Sequence, residues 1–381
     1  MNSNNLKKIF NNYIEKFDFI TYDHEEIYKW EIINDFKALM DKALTVSDEE
    51  FPVKLNEAKK LTENLIDSYT TPFYGLVKFS EKEPETVRKM FLDLYSADDG
   101  DLKKRQNNIQ AFLRKSHELR DKYYPGSYMY KDDMHSVTGY LFLYDPDHNY
   151  MYKATQSLAF ADSIEYYDDW GYGDSLKLDI YYKMCDMLVD EMKSDEGLLA
   201  IDSSRFNGEI RNIPKVLYPD SEKHILAFDI IYSCSVYGLF DGINFERPKS
   251  KERQILKEKK EKATLLFEKL QKAKAEQDKL SEALDYINSV FVKGSELNHK
   301  SLGKGIIKET TDTTITVEFT DSGIKKLGTV LSAVNGIISV DTDDYKDNIN
   351  KYRALLKNES NIKNAYNRAE REMAEYSDYL E

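Results

Sequence analysis

The stretch GSELNHKSLGKGIIKETTDTTITVEFTDSGIKKLGTVLSAVNGIISV, residues 294–340, decides the architecture of this chain. Short β-prone runs (Gly305 to Lys308, Thr314 to Phe319, Ile324 to Val330, Ile337 to Val340) alternate in it with Gly, Asp, Ser and Asn turns. Strands this short bury a shared face only by curling together, so the spacing predicts a small closed or partly closed β-barrel over 293–340.

Long helices are expected on both sides of it. On the N-terminal side, within 246–292, Ala263, Leu266, Leu270, Ala273, Leu280, Leu284, Ile287 and Phe291 recur at steps of three and four, interrupted by Gln277, which is the seam of a coiled coil. A second seam in 341–381 runs through Tyr345, Tyr352, Leu355, Ile362, Tyr366, Ala369, Met373, Tyr376 and Leu380, with Asn348 and Glu359 as polar interruptions. Neither helix buries its stripe alone. One enters the barrel and the other leaves it, so the simplest arrangement is an antiparallel hairpin with the barrel at its tip, each arm of about 40 residues reaching roughly 60 Å. The rival is pairing of the helices between two copies of the chain.

Residues 1–245 read as a mostly helical domain. Asp23 and Glu26 have capping-box spacing ahead of Ile27, Trp30, Ile33, Phe36 and Met40; further helices are expected from Ser47, from Glu83-Pro84-Glu85, over Leu102 to Tyr123, over Ser175 to Met192 and over His224 to Phe240. Val137 to Tyr144 and Tyr150 to Lys153 flank the turn-rich Asp145-Pro146-Asp147-His148-Asn149 and read as a β-hairpin. The fold class is thus mainly α with a minor β component.

Composition narrows the function classes. With 41% hydrophobic and 13% aromatic residues, the chain has apolar material enough to fold. No run of eighteen apolar residues occurs and MNSNNLKKIF lacks a signal-peptide h-region, so a cytoplasmic protein without a membrane partner is expected. The two cysteines, Cys185 and Cys234, lie in apolar stretches and read as buried thiols. Of the total charge of −14, residues 247–292 hold +4, 293–340 hold +1 and 341–381 hold −3, leaving −16 on residues 1–246. An acidic first part repels phosphate, so DNA or RNA would be met by the 247–340 stretch.

Two resemblances follow from particular residues. Trp30 with its helix, NLIDSYTTPFYGLVKFSEKEPETVRKMFLDLYSADDGDLKKRQNNIQAF, YYPGSYMYKDDMHSVTGYLFLYDPDHNYMYK and HILAFDIIY together resemble the helical region N-terminal to the motor in some AAA ATPases of the 5-methylcytosine-dependent restriction type, over about residues 20–240. No G-x-x-x-x-G-K-[ST] is present, so the motor and its nucleotide chemistry do not carry over. The resemblance implies a setting in bacterial defence. The second lies in LNHKSLGKGIIKETTDTTITVEF, residues 297–319: His299-Lys300, Gly303-Lys304-Gly305 and Val317-Glu318-Phe319, followed by Lys325-Lys326, are similar to the Tudor or SH3-like, KOW-like module of some bacterial repair helicases. Such modules hold proteins or nucleic acid.

Candidate chemistry is weighed against turn and cap roles. His24-Glu25-Glu26 has Tyr28 where a zincin's second His would stand. Asp132, Asp133 and His135, and Asp145, Asp147 and His148, are loop carboxylates with a His, the types that bind a metal but also the types that build turns. Pro219-Asp220 with Glu222-Lys223 has nuclease letters without a strand to carry them, Cys185 lacks an orienting partner, and Ser203-Ser204 sits in no nucleophile elbow. Gly171 and Gly173 suit a loop before a helix. No catalytic residue, cofactor or metal is therefore assigned. The expected ligand-binding face is His299, Lys300, Lys304, Lys308, Lys325 and Lys326 on the barrel, with Lys257, Lys259, Lys260 and Lys262 as a basic helix and Tyr352, Tyr366 and Tyr376 as a partner groove if exposed. The expected role is a non-enzymatic recognition or adaptor protein of a restriction-type defence system, docking a protein such as a separate ATPase or nuclease subunit or a second copy of itself through the coiled coil. A nucleic-acid sensor using the barrel, and an enzyme with an unfamiliar N-terminal site, are the alternatives.

Overall fold

The computed structural model describes residues 1–62, 64–66, 70–97, 100–207 and 216–380, so Asp67 to Tyr69 and Asp98-Asp99 of the first resemblance lie outside the described residues. The chain divides into two compact units, Met1–Ile255 and Leu256–Glu381. Among the described residues no helix is long and apolar enough to cross a membrane.

The first unit is helical: α1 Ser3–Glu15, a π-helical turn Phe19–Asp23, α2 Tyr28–Thr45, α3 Phe51–Lys59, α4 Pro72–Ser80, α5 Pro84–Leu94, α6 Leu102–Tyr123, α7 Met134–Tyr144, α8 Ala154–Ser163, α9 Leu178–Ser194, α10 Glu196–Ser204 and α11 His224–Val236. Prolines at the first turns of α3, α4 and α5 set those starts, where a missing N–H costs nothing. Trp30, Phe36, Phe73, Phe91, Tyr140 and Phe142 fill the core, with Phe73 and Tyr140 ring centroids 5.0 Å apart.

The hairpin expected at 137–153 is a helix followed by an extended strap. The Asp133 carboxylate accepts from the Ser136 amide (2.9 Å) and Ser136 Oγ accepts from the Asp133 amide (3.1 Å), a reciprocal cap that commits MHSVTGYLFLY to α7. The helix is buried almost all round, so its apolar residues show no period that separates helix from strand. The Tyr150 to Tyr152 strap lies beneath it, pinned by Tyr152 N donating to Thr138 Oγ1 (3.2 Å) and by Tyr181 OH donating to the Met151 carbonyl (2.8 Å). Asp23 does not cap α2, because it ends the π-helical turn, and Glu26 is buried. The helices expected from Ser47 and Ser175 begin at Phe51 and Leu178.

The second unit is built on α12 Ser250–Val290, then β1 Glu296–His299, β2 Gly303–Thr310, β3 Thr314–Phe319, β4 Gly323–Gly328, α13 Thr329–Val334, β5 Ile338–Ser339, α14 Tyr345–Leu356 and α15 Glu359–Ala374. The five strands form one antiparallel curled sheet in the order β4-β3-β2-β1-β5, leaving β4 at one open edge. The third expected strand run, Ile324 to Val330, is cut short because Thr329 starts α13, and the fourth, Ile337 to Val340, is reduced to β5. One face of the sheet carries Ile307, Ile315, Val317 and Phe319 onto Ile287, Phe291, Tyr345 and Ile349 of the helices. Tyr345 OH donates to the Ile338 carbonyl (3.0 Å), and Arg353 Nε donates to the Val334 carbonyl (2.6 Å) at the end of α13.

The helices run antiparallel: Lys259 Nζ donates to Tyr379 OH (2.7 Å), Lys262 Nζ to Tyr376 OH (2.7 Å), and Lys269 pairs with Glu372 (2.6 Å). The seam thus closes within one chain, with the sheet between the arms in sequence and packed on their ends. The second arm is not continuous. It breaks at Lys357-Asn358, next to Glu359, where the apolar seam is interrupted.

Gly305 is the tightest point of the sheet, since a Cβ there would meet Val317 Cγ1 at 2.6 Å and the Phe319 ring at 2.7 Å. Gly305→Val should cost about 1–3 kcal/mol by overpacking. Hydrogen exchange should show lost protection at the β2 and β3 amides, with α11 unchanged.

Candidate functional site

The strand register assigns each residue of the expected basic face. Ile306, Glu318 and Ile324 lie opposite one another across β2, β3 and β4, and Lys326 lies opposite Thr316. Since residues paired across a ladder share a face, these point away from the core that Ile307 and Val317 enter. Ile306 is 47% exposed and Ile324 66%. Between them Glu318 accepts from Lys308 (2.7 Å), and Lys304 pairs with Glu296 (2.5 Å). The two lysines nearest the middle of the face are therefore neutralised by strand neighbours.

The other expected residues have structural tasks. His299 Nδ1 accepts from the Ser301 and Leu302 amides (3.1 Å each), closing the β1–β2 turn, and its ring packs edge-on against Phe319. Lys300 donates its backbone amide to the Ile337 carbonyl (2.8 Å). Lys325 shares its parity with inward-facing Val317 yet is exposed, because β4 is the open edge; an inward charge on an edge strand discourages pairing with other chains. Lys259 and Lys262 are held by the hairpin tyrosines and Lys257 lies 3.7 Å from Glu261. Tyr352 is buried and Tyr366 donates to Glu370 (3.0 Å), so they form no groove for a partner.

The first unit holds a polar centre that sequence reasoning missed. Asp229, in the middle of the apolar helix α11, is fully buried. It accepts from Lys29 Nζ (2.5 Å) and Tyr13 OH (2.6 Å). Lys29 also lies 2.9 Å from Glu26, which accepts from Tyr237 OH. Arg205, likewise buried, donates to Tyr13 OH (2.9 Å), Thr21 Oγ1 (3.1 Å) and Asp202 (3.4 Å), and its guanidinium lies 3.7 Å from the Trp30 ring centroid. Lys223 closes the chain on Asp202 (2.9 Å). Burial and the neighbouring Asp229 charge push the Tyr13 hydroxyl far above its ordinary pKa, keeping it a donor. Three cations thus meet three carboxylates, the balance of a structural network. A lone Asp inside HILAFDIIY was the signal available for it.

The remaining sequence candidates are not brought together. Asp132 is buried in a ring of hydroxyls from Ser116, Ser136 (2.9 Å) and Tyr140 (2.7 Å), and burial raises its carboxyl. Asp145 pairs with His148 (2.9 Å), while Asp147 accepts from Tyr218 (2.7 Å). Asp220 accepts from the Ile225 and Leu226 amides (3.0 Å each), Glu222 pairs with Lys193 (3.0 Å), and Lys223 is in the network above. Ser203 and Ser204 donate to the Leu199 and Ile201 carbonyls. A Cβ on Gly171 would strike the Ser175 carbonyl, which gives that glycine a turn role. Cys185 and Cys234 are free buried thiols, both raised by burial. Among the described residues, no group of three or more His, Cys, Asp or Glu is placed to hold a metal.

No family model, curated protein or solved structure matches this chain.

Both tryptophans, Trp30 and Trp170, lie in the first unit, so their fluorescence reports its unfolding. Asp229→Ala should remove about 3–5 kcal/mol in urea titrations, because it strands a buried ammonium. Asp220 supplies a pH test. Burial lifts its carboxyl to about 6. A carboxyl raised on folding contributes stability that is full below the unfolded value near 3.9 and lost as pH rises through about 6. The Tm of Asp220→Asn relative to the natural chain should therefore climb between pH 4 and pH 7; a constant difference would refute this.

Proposed function

We propose that this chain is a recognition or adaptor protein that docks a protein partner on the outer face of its curled sheet. The row Ile306, Glu318, Ile324 carries the reading. It sets two exposed isoleucines two strands apart, roughly 10 Å, on one face of a small sheet. Scattered surface isoleucines need no explanation, whereas a pair flanking a charge pair suits an interface with an apolar centre and a polar rim. Pairing of Lys304 with Glu296 and of Lys308 with Glu318 lowers the positive potential that a phosphate backbone needs, which favours protein over nucleic acid.

The defence setting rests on the likeness of residues 20–240 to a motor-associated helical region, and the partner that likeness implies is a separate ATPase or nuclease subunit. A second copy of the chain is a further partner of the same class, because Leu266 and Leu270 are only half-buried in the hairpin seam.

Fluorescence anisotropy with labelled single- and double-stranded DNA and RNA, methylated and not, tests the reading across a salt series. The expected result is no salt-sensitive binding, and no difference when Lys300, Lys304, Lys325 and Lys326 are changed to Ala. A photo-crosslinking residue at position 306 or 324, introduced in the source cells, should yield one discrete protein adduct that the same probe at Lys89 does not. Tight binding that falls steeply with salt and is lost in the lysine variant would replace this reading with the nucleic-acid sensor.

A further inference from the structure

β4 and β5 end the sheet, but β5 has 2 residues and β4 has 6. Among the described residues β4 pairs only with β3, antiparallel, from Gly323 opposite Phe319 to Gly328 opposite Thr314. Alternate residues of an antiparallel strand turn their N–H and C=O groups to opposite sides, so half of the β4 backbone points to the side where no strand lies. Gly323, Ile324, Lys325 and Lys326 are all exposed.

The lysines of the sheet differ in their surroundings. Lys304 and Lys308 on β2 have a strand on either side, and each finds a carboxylate there, Glu296 on β1 at 2.5 Å and Glu318 on β3 at 2.7 Å. Lys325 and Lys326 lie opposite Val317 and Thr316, which carry no charge, and among the described residues neither ammonium has an ion-pair partner. Because successive side chains of a strand alternate, one of the two lysines stands on each face of the edge. Ile324 shares the outer face with Lys326 and is 66% exposed.

Lysines on an edge strand repel strands that are apolar or basic at the facing positions. Protection of that kind gains nothing from an exposed isoleucine beside them. Outward backbone groups, an apolar side chain and two cations at consecutive positions are together the complement of a strand with one particular pattern.

We infer that β4 receives a strand from the protein partner: an extended acidic segment, antiparallel like the rest of the sheet, with carboxylates facing Lys325 and Lys326 and an apolar residue facing Ile324. The inference deepens the docking proposed above and rests on that reading for its occupant, a protein. The added strand continues the row Ile306, Glu318, Ile324 by one place. Main-chain hydrogen bonds supply affinity that any extended chain can share, while the two charge pairs and the apolar pair supply the choice. From its N-terminus the segment reads apolar, acidic, acidic, apolar, with the first apolar residue facing Leu327.

The probe is the fluorescein-labelled peptide Thr-Val-Glu-Glu-Val-Thr, titrated against the full chain at low salt and followed by anisotropy and by hydrogen exchange. It should bind and slow exchange across residues 323–328. Changing Lys325→Glu and Lys326→Glu together should weaken it about tenfold or more, and Thr-Val-Lys-Lys-Val-Thr should prefer that variant to the natural chain. Two forms of the acidic peptide, N-methylated on one or the other alternate set of amides, should behave differently, one losing binding and the other keeping it; this comparison uses the natural chain and so does not depend on whether the variant folds. No binding of the acidic peptide, equal binding of the lysine peptide to the natural chain, or equal binding of the two N-methylated forms overturns the inference. A photo-crosslinked adduct at position 306 that persists in the doubly substituted variant also overturns it, and leaves docking on the outer face in place. Peptide binding with protected β4 amides but no adduct at position 306 upholds the added strand and removes the outer-face reading alone.

Discussion

Asp229 is a carboxylate in the middle of an apolar helix with no access to water, and the helices of the first unit are arranged around that constraint. A charge so placed is tolerable only when neutralised and hydrogen-bonded on the spot. Lys29 from α2 and Tyr13 from α1 do this directly, and Arg205, beyond the end of α10, reaches the same centre through Tyr13. Segments far apart in sequence thus have one relative placement that leaves no buried charge alone. Apolar packing alone would tolerate several arrangements of a helical cluster; the network selects among them, as buried polar groups do in other cores.

Next to this centre the Tyr232 ring faces two cations, Lys29 at 4.5 Å and Lys153 at 4.8 Å from its centroid. In the second unit the charges are paired at the surface instead. Lys304 and Lys308 each find a carboxylate on the neighbouring strand, and what remains prominent on the outer face is apolar.

The parts legible in the sequence are those with a strong period on one face. The seams of α12, α14 and α15 and the turn spacing of residues 294–340 lead to the hairpin and its sheet. Residues 137–144 mislead because α7 is buried on nearly all sides, so neither a period of two nor of 3.6 is imposed on its composition. The basic face is legible as lysines but not as pairs, because Lys308 on β2 meets Glu318 on β3 through a strand register that no local pattern states. The polar centre joins residues separated by about two hundred positions, such as Lys29 and Asp229, and no local pattern marks such a meeting.

The interruption at Lys357-Asn358 gives the helical arm an asymmetric mechanics. On one side α12 runs unbroken over 41 residues; on the other, α14 and α15 are two shorter segments joined end to end. At the level of that joint, unbroken helical hydrogen bonding is carried along the arm by α12 alone.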